Sequence, residues 1–101
     1  MNRTLKTPHP GEHLKELLSD LGVSNYRLAK ASGLSATAIG QIISGHRRIT
    51  AETAMRLGAA LNMTPQFWLN AQTHYDLALA RREAGAAVAD IVPVVPALVS
   101  T

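Results

Sequence analysis

The sequence predicts an all-α domain of five helices followed by an extended apolar tail, and three observations carry that prediction. Leu14, Leu17, Leu18 and Leu21 recur at the i, i+3, i+4, i+7 spacing of one helical face. Cap residues punctuate the chain beyond that face: Ser24, Ser35, Thr50 and Thr64 suit helix N-caps, and Gly22, Gly33, Gly45 and Asn62 suit helix ends. Beyond Asp90, two prolines in IVPVVPALVST exclude helix, while Val, Ile and Leu favour an extended backbone. The 101 residues are enough for one hydrophobic core and too few for a second domain. They divide into an N-terminal arm (1–8), a helical domain (9–90) and a tail (91–101).

The arm, with Arg3 and Lys6, is polar and aperiodic, and is expected to become ordered only against a partner. His9 and Pro10 open the first helix, because proline at the first helical position costs no hydrogen bond. His9, Glu12 and His13 spell H-x-x-E-H, an order used by one class of zinc peptidases. A catalytic zinc also requires a third ligand, an open coordination position and a substrate cleft, and the sequence supplies none of them. Pro10 and Gly11 further place His9 at or before the helix start, so the pattern is read as helix-start chemistry. No metal and no cofactor are expected.

From Ser24 to Arg48 the chain reads as a short helix, a tight turn at Gly33 and a second short helix. Leu28, Ala29, Ile39, Ile42 and Ile43 supply the buried sides, and Leu34 is placed to plug the core beside the turn. A helix enters a DNA major groove only if its leading residues are not bulky, and Ala36, Thr37 and Ala38 satisfy that condition. Gly40, in the middle of this helix, costs roughly 1 kcal/mol against alanine, so a close approach of its backbone to DNA or to a neighbouring helix is expected. The charge agrees with such a role. Leu21 to Ala51 holds Arg27, Lys30, Arg47 and Arg48 and no Asp or Glu, a window of +4; the remaining six Lys or Arg face seven Asp or Glu, a net −1.

Thr50 caps the fourth helix, with Glu52 near its positive end and Ala54, Leu57 and Leu61 facing inward. Thr64 and Pro65 start the fifth as N-cap and first residue. Phe67, Trp68, Ala71, Tyr75 and Leu79 form its apolar stripe, widened by Leu69 and Leu77. A DNA reader of four helices needs only part of so wide a stripe, and such proteins pair to match palindromic sites. Trp68, Tyr75 and Leu79 are therefore assigned to a homodimer interface. The apolar tail is expected to pack across the dimer mate or along its own fifth helix.

Several classes are excluded or disfavoured. Without cysteine there is neither a disulfide framework nor a thiolate metal site. The longest uncharged run, Ile91 to Thr101, is too short to span a bilayer, and MNRTLKTPHP lacks the apolar centre of a signal peptide, so the chain is read as cytoplasmic with no membrane partner. The four histidines are scattered, no nucleophile–base set falls at related positions and no glycine-rich phosphate loop follows a strand, so an enzyme is not expected. The remaining reading is double-stranded DNA binding, with Ala36, Thr37, Ala38 and Gln41 against bases and Ser24, Asn25, Arg27, Ser35, Arg47 and Arg48 against phosphates. Gln41 suits adenine, and the methyl groups of Thr37 and Ala38 suit the thymine methyl. The competing class is an interaction module whose basic face binds something other than DNA.

Residues 24–45 resemble the lambda-repressor-like, or XRE-type, helix-turn-helix, in Ser24, Leu28-Ala29, Gly33-Leu34-Ser35, Ile39, Ile42 and Gly45. The flanks are more specific. HPGEHLKELL, YRLAKASGLSATAIGQIISGHRRITAETAMRLGAAL and TPQFWLNAQTHYDL, covering His9 to about Leu77, are very similar to the HigA/VapI family of antitoxins. That resemblance implies a homodimeric repressor that binds a palindromic operator upstream of its own operon. It also implies a type II toxin–antitoxin system in which this chain silences a co-encoded RelE-like toxin, an mRNA-cleaving ribonuclease acting on the ribosome. A free-standing transcriptional regulator of the same fold is the alternative. Asn25 stands where family members commonly have Gln, and Gly40 where they have a polar residue, which points to altered phosphate clamping and base preference.

Overall fold

The computed structural model describes residues 7–97, which form five helices and no strand. They are α1 (Pro10–Leu21), α2 (Asn25–Ser32), α3 (Ala36–Ile43), α4 (Ala51–Leu61) and α5 (Pro65–Ala89). The predicted caps account for most of these boundaries. The hydroxyls of Ser24, Ser35 and Thr50 accept from the backbone N–H of Arg27, Ala38 and Thr53 at 3.1, 3.0 and 3.3 Å. Each satisfies one of the donors a helix start leaves free. Thr64 occupies the N-cap position of α5 without making such a bond. At α1 the capping acceptor is an imidazole: His9 Nδ1 accepts from the Gly11 N–H at 2.9 Å. Helix-start chemistry is therefore what the H-x-x-E-H pattern serves. No group of three His, Cys, Asp or Glu among the described residues is arranged to hold a metal ion.

The core lies where α1 and α2 pack on α3, and where α4 packs on α2 and α5. Leu14, Leu18, Leu28, Ile39, Ile42, Ile49, Ala54, Leu57 and Trp68 form one buried cluster. Each fully buried Leu or Ile in it contributes about 1.5–3 kcal/mol of apolar transfer. Close backbone approach fixes the pose of α3 against α1, since a Cβ on Gly11 would run into the Ile42 carbonyl. At the α2–α3 turn Gly33 takes φ +79°. Arg56 of α4 packs over that turn, donating through Nη1 to the Ser32 carbonyl and through Nε to Glu52, both at 3.0 Å. The turn between the two short helices is thus pinned by a third. Leu21, expected on the buried stripe of α1, is 56% exposed, so the buried stripe ends at Leu18.

The assignment of Trp68 to a dimer interface is overturned, and of the two places expected for the tail, the one along its own α5 is not taken up over the described residues. Trp68 is fully buried, with its ring edge-on to Phe67 at 4.9 Å between centroids, so it belongs to the core and is not available to a dimer mate. The first turns of α5 are the ones that close the domain, which is why its widest aromatic residue faces inward. Tyr75 and Leu79 are half-buried, and Tyr75 meets His9 edge-on at 4.9 Å. The tail does not fold back on α5 over its described part: Ile91, Val92, Val94 and Val95 are all exposed, Val94 almost completely. The assignments to residues 1–6 of the arm and 98–101 of the tail lie outside the described residues. Since α5 has 25 residues it runs about 37 Å. Only Trp68 and Gln72 of it are fully buried, so its second half projects from the domain.

Candidate nucleic-acid interface

Helical period divides α3 into two sides. Ala38, Ile39 and Ile42 point inward and are buried, whereas Ala36, Thr37 and Gln41 are exposed, as is Ser44 just beyond the helix. Gly40 lies partly exposed between Thr37 and Gln41, so the outward stripe is Thr37, Gly40, Gln41, Ser44 at i, i+3, i+4, i+7. Ala38 is 8% exposed and shares its face with Ile42 one turn later. The assignment of Ala38 to a base contact is therefore incorrect. Ser44, one turn beyond Gly40, takes its place on the outward side, and the same i, i+4 spacing identifies both. Beyond its own helical turn, nothing among the described residues lies within 4 Å of where a Gly40 Cβ would stand. A neighbouring helix of this chain is thus excluded as the reason for that glycine.

The residues assigned to phosphates, Ser24, Asn25, Arg27, Ser35, Arg47 and Arg48, are all exposed and accessible to a ligand. The Ser24 and Ser35 oxygens accept cap bonds, which leaves their O–H groups free to donate outward. The N-termini of α2 and α3 each carry the positive end of a helix dipole. Lys30 stands over the Tyr26 ring, its ammonium 5.7 Å from the centroid, which restrains another cation near the end of α2.

Between α3 and α4 the loop is held in place by contacts that local spacing does not reveal. Arg48 Nη1 and Nη2 donate to Asp76 Oδ1 and Oδ2 of α5 at 3.3 and 2.9 Å. Gln72 Nε2 donates to the same carboxylate at 3.0 Å, and Gln72 Oε1, inside the core, accepts from the Ile49 N–H at 2.7 Å. The Arg48 guanidinium holds the Asp76 carboxyl below its usual range, against the smaller opposing effect of burial. Arg48 thereby fastens the loop to α5, and Arg47 is left facing the outward stripe. Arg47 Nε donates to Gln41 Oε1 at 2.9 Å. Gln72 and Asp76, 23 and 28 residues from their loop partners, are not legible in the sequence as site residues.

A hollow of about 220 Å³ lies at the α1 start, lined by Thr7, His9, Glu12, Tyr75, Ala78, Leu79 and Arg82. Burial pushes the His9 imidazole below its usual range, with Glu12 and then Asp76 pulling the other way. The neutral ring is the form that α1 requires, because only an unprotonated Nδ1 accepts from Gly11.

Two short helices joined by a pinned glycine turn, the second carrying a small polar outward stripe flanked by cations, define the class: a helix-turn-helix protein. A helix-turn-helix family model matches residues 14–68, slightly more than half the chain. Virulence-associated protein I of Dichelobacter nodosus is 45% identical over 76 residues, covering 74% of this chain and 70% of that protein. Antitoxin HigA-1 of Vibrio cholerae is 40% identical over 79 residues, covering 76% and 74%. Among solved structures, the Pseudomonas aeruginosa antitoxin HigA with the higBA promoter superposes with a TM-score of 0.81 at 36% identity, over 89% of this chain and all of that one. The chain belongs to the HigA/VapI family of helix-turn-helix proteins.

Proposed function

We propose that the chain is the antitoxin of a type II toxin–antitoxin system, and that as a dimer it represses its own operon by binding a palindromic operator. The observation that carries the DNA-binding half is the outward stripe of α3, in which Thr37, Gly40, Gln41 and Ser44 are small or polar. That stripe lies within a segment holding all of the net positive charge. Such a surface fits a major groove, and a buried or hydrophobic stripe would not. Ala36, Thr37 and Gln41 face the bases. Ser24, Asn25, Arg27, Ser35 and Arg47 neutralise phosphates or donate to them, and Arg48 reaches them from its tether on Asp76.

The dimer reading rests on the projecting half of α5, where Leu77 and Val88 are exposed beside Ala80, Ala84, Gly85 and Ala89. This unpartnered apolar strip replaces Trp68 as the centre of the contact, with Leu79 and Tyr75 at its inner border. The antitoxin half is supported by the likeness to Vibrio cholerae HigA-1 and to the Pseudomonas aeruginosa antitoxin. Its partner is proposed to be a RelE-like mRNA-cleaving ribonuclease encoded beside this chain. Binding and masking are all that the role requires of this protein, with no bond made or broken by it and no cofactor.

Coexpression with the neighbouring open reading frame tests the antitoxin role. A stable complex on copurification, together with relief of that product's toxicity, is the expected result. A chain that neither copurifies with the product nor relieves its toxicity is a regulator without a toxin partner.

A further inference from the structure

Three hydrogen bonds converge on Gln41. Its backbone carbonyl accepts from the His46 N–H at 2.8 Å and from the Ser44 hydroxyl at 3.2 Å, and its side-chain Oε1 accepts from Arg47 Nε at 2.9 Å. Ser44 Oγ also meets His46 Nδ1 at 2.8 Å. Residues 44–47 are thereby folded back over the last outward turn of α3, a reversal that passes through Gly45 at φ +84°. The result is an exposed guanidinium fixed beside an exposed amide, on the side of α3 that points away from the core.

We propose that Arg47 and Gln41 act as one reading unit that selects guanine in each half-site. The inference rests on the DNA-binding role above and assigns Arg47 to sequence specificity as well as to charge. A lone glutamine offers one donor and one acceptor, the complement of adenine N6–H and N7. Here Arg47 engages the acceptor. The unit then presents to a base the Gln41 Nε2–H and the Arg47 Nη–H groups, all of them donors. Guanine offers two acceptors in the major groove, O6 and N7, whereas adenine N6–H would meet a donor head-on. The positive charge of the guanidinium strengthens the hydrogen bonds to guanine. Gln41 alone therefore predicts adenine, and the pair predicts guanine.

Selection from a randomised duplex tests this with the full chain, as wild type and as Arg47→Ala, Arg47→Lys and Gln41→Ala. All three substitutions are on exposed side chains, and unchanged melting curves establish that the variants fold. The wild type is expected to enrich guanine at one position of each half-site, and 7-deazaguanine at that position, which lacks N7, to lower affinity about tenfold or more. Arg47→Ala is expected to move the preference at that position from guanine to adenine, because Gln41 Oε1 is released to accept from N6–H. Arg47→Lys keeps a donor-only cation that can still reach O6 and N7, and is expected to retain guanine at lower affinity. An Arg47→Ala protein that binds all sequences more weakly while keeping the wild-type base preference would overturn the proposal and leave Arg47 a phosphate ligand. Wild-type enrichment of adenine at the position relaxed by Gln41→Ala would also overturn it. A wild type that enriches no sequence removes the DNA-reading role itself, and the proposal with it.

Discussion

Gly40 lies between Thr37 and Gln41, and a side chain there would touch no other helix among the described residues. Within a helix such a glycine costs roughly 1 kcal/mol against alanine. Since no close neighbour among the described residues requires it, the glycine fits the proposal that the floor of a major groove approaches the α3 backbone there. Gly40→Ala is therefore expected to act with opposite signs: about 1 kcal/mol more stable in urea unfolding, and weaker on promoter DNA. A variant that gains stability and keeps full affinity would show that the backbone does not approach the bases there. His9 gives a second prediction. Its native imidazole titrates below the usual value of 6.5, so as pH falls the unfolded chain takes up the proton first. Stability is then fully present above about 6.5 and lost progressively as pH falls from there towards the lowered native value. Protonation also occupies the lone pair that caps α1. Unfolding measured between about pH 7.5 and 5.5 is expected to show this loss in the wild type. It should be smaller in His9→Asn, whose side chain caps a helix without titrating.

Short elements are legible in the sequence because local chemistry specifies them. Ser24, Ser35 and Thr50 cap α2, α3 and α4, and Gly22, Gly33 and Asn62 end their helices in the left-handed conformation. Side-chain direction on α3 is legible in principle: small size alone places Ala38 among the base contacts, whereas its i+4 partner Ile42 orients it inward. The loop before α4 is a different case. Its position depends on Arg48, Asp76, Gln72 and Ile49, pairs separated by 23 and 28 residues that no local pattern records. The same holds for α5, where one apolar stripe serves core and surface in succession and only tertiary packing marks the change. Asp76→Asn tests the role of the tether. The Arg48–Asp76 pair is well exposed, at 60% and 39% of the side chains, so the expected stability cost is at most about 1 kcal/mol. Promoter affinity is expected to fall further than that, because the loop carrying Arg47 loses its anchor. Equal losses in the two measurements would reduce the tether to a surface ion pair.

At the scale of the whole molecule, the domain and its projecting helix divide the work. The domain of α1 to α4, closed by the start of α5, holds the outward stripe of α3, and the rest of α5 carries Leu77 and Val88 outward. Val88→Asp is expected to shift the chain from dimer to monomer in sedimentation while leaving domain melting unchanged, since Val88 is 60% exposed and lies outside the buried cluster. A chain ending at Asp90, sized in parallel, reports on the tail: an unchanged dimer constant removes residues 91–101 from the interface. No helix of the described residues is long and apolar enough to cross a membrane. The excess positive charge is confined to the segment that contains α2, α3 and the loop after them. A polyanion is the ligand such a distribution favours.

On the proposed function, the outward face of α3 reads sequence as well as charge. The most direct test is a titration of the full chain against the duplex upstream of its own gene and against a shuffled duplex of equal length and composition, over a salt series from about 50 to 300 mM. Both affinities are expected to fall with salt, with the upstream duplex bound about a thousandfold or more tightly at physiological ionic strength. Equal affinity for the two duplexes at every salt concentration would contradict the account, because it would leave α3 a basic surface with nothing to read.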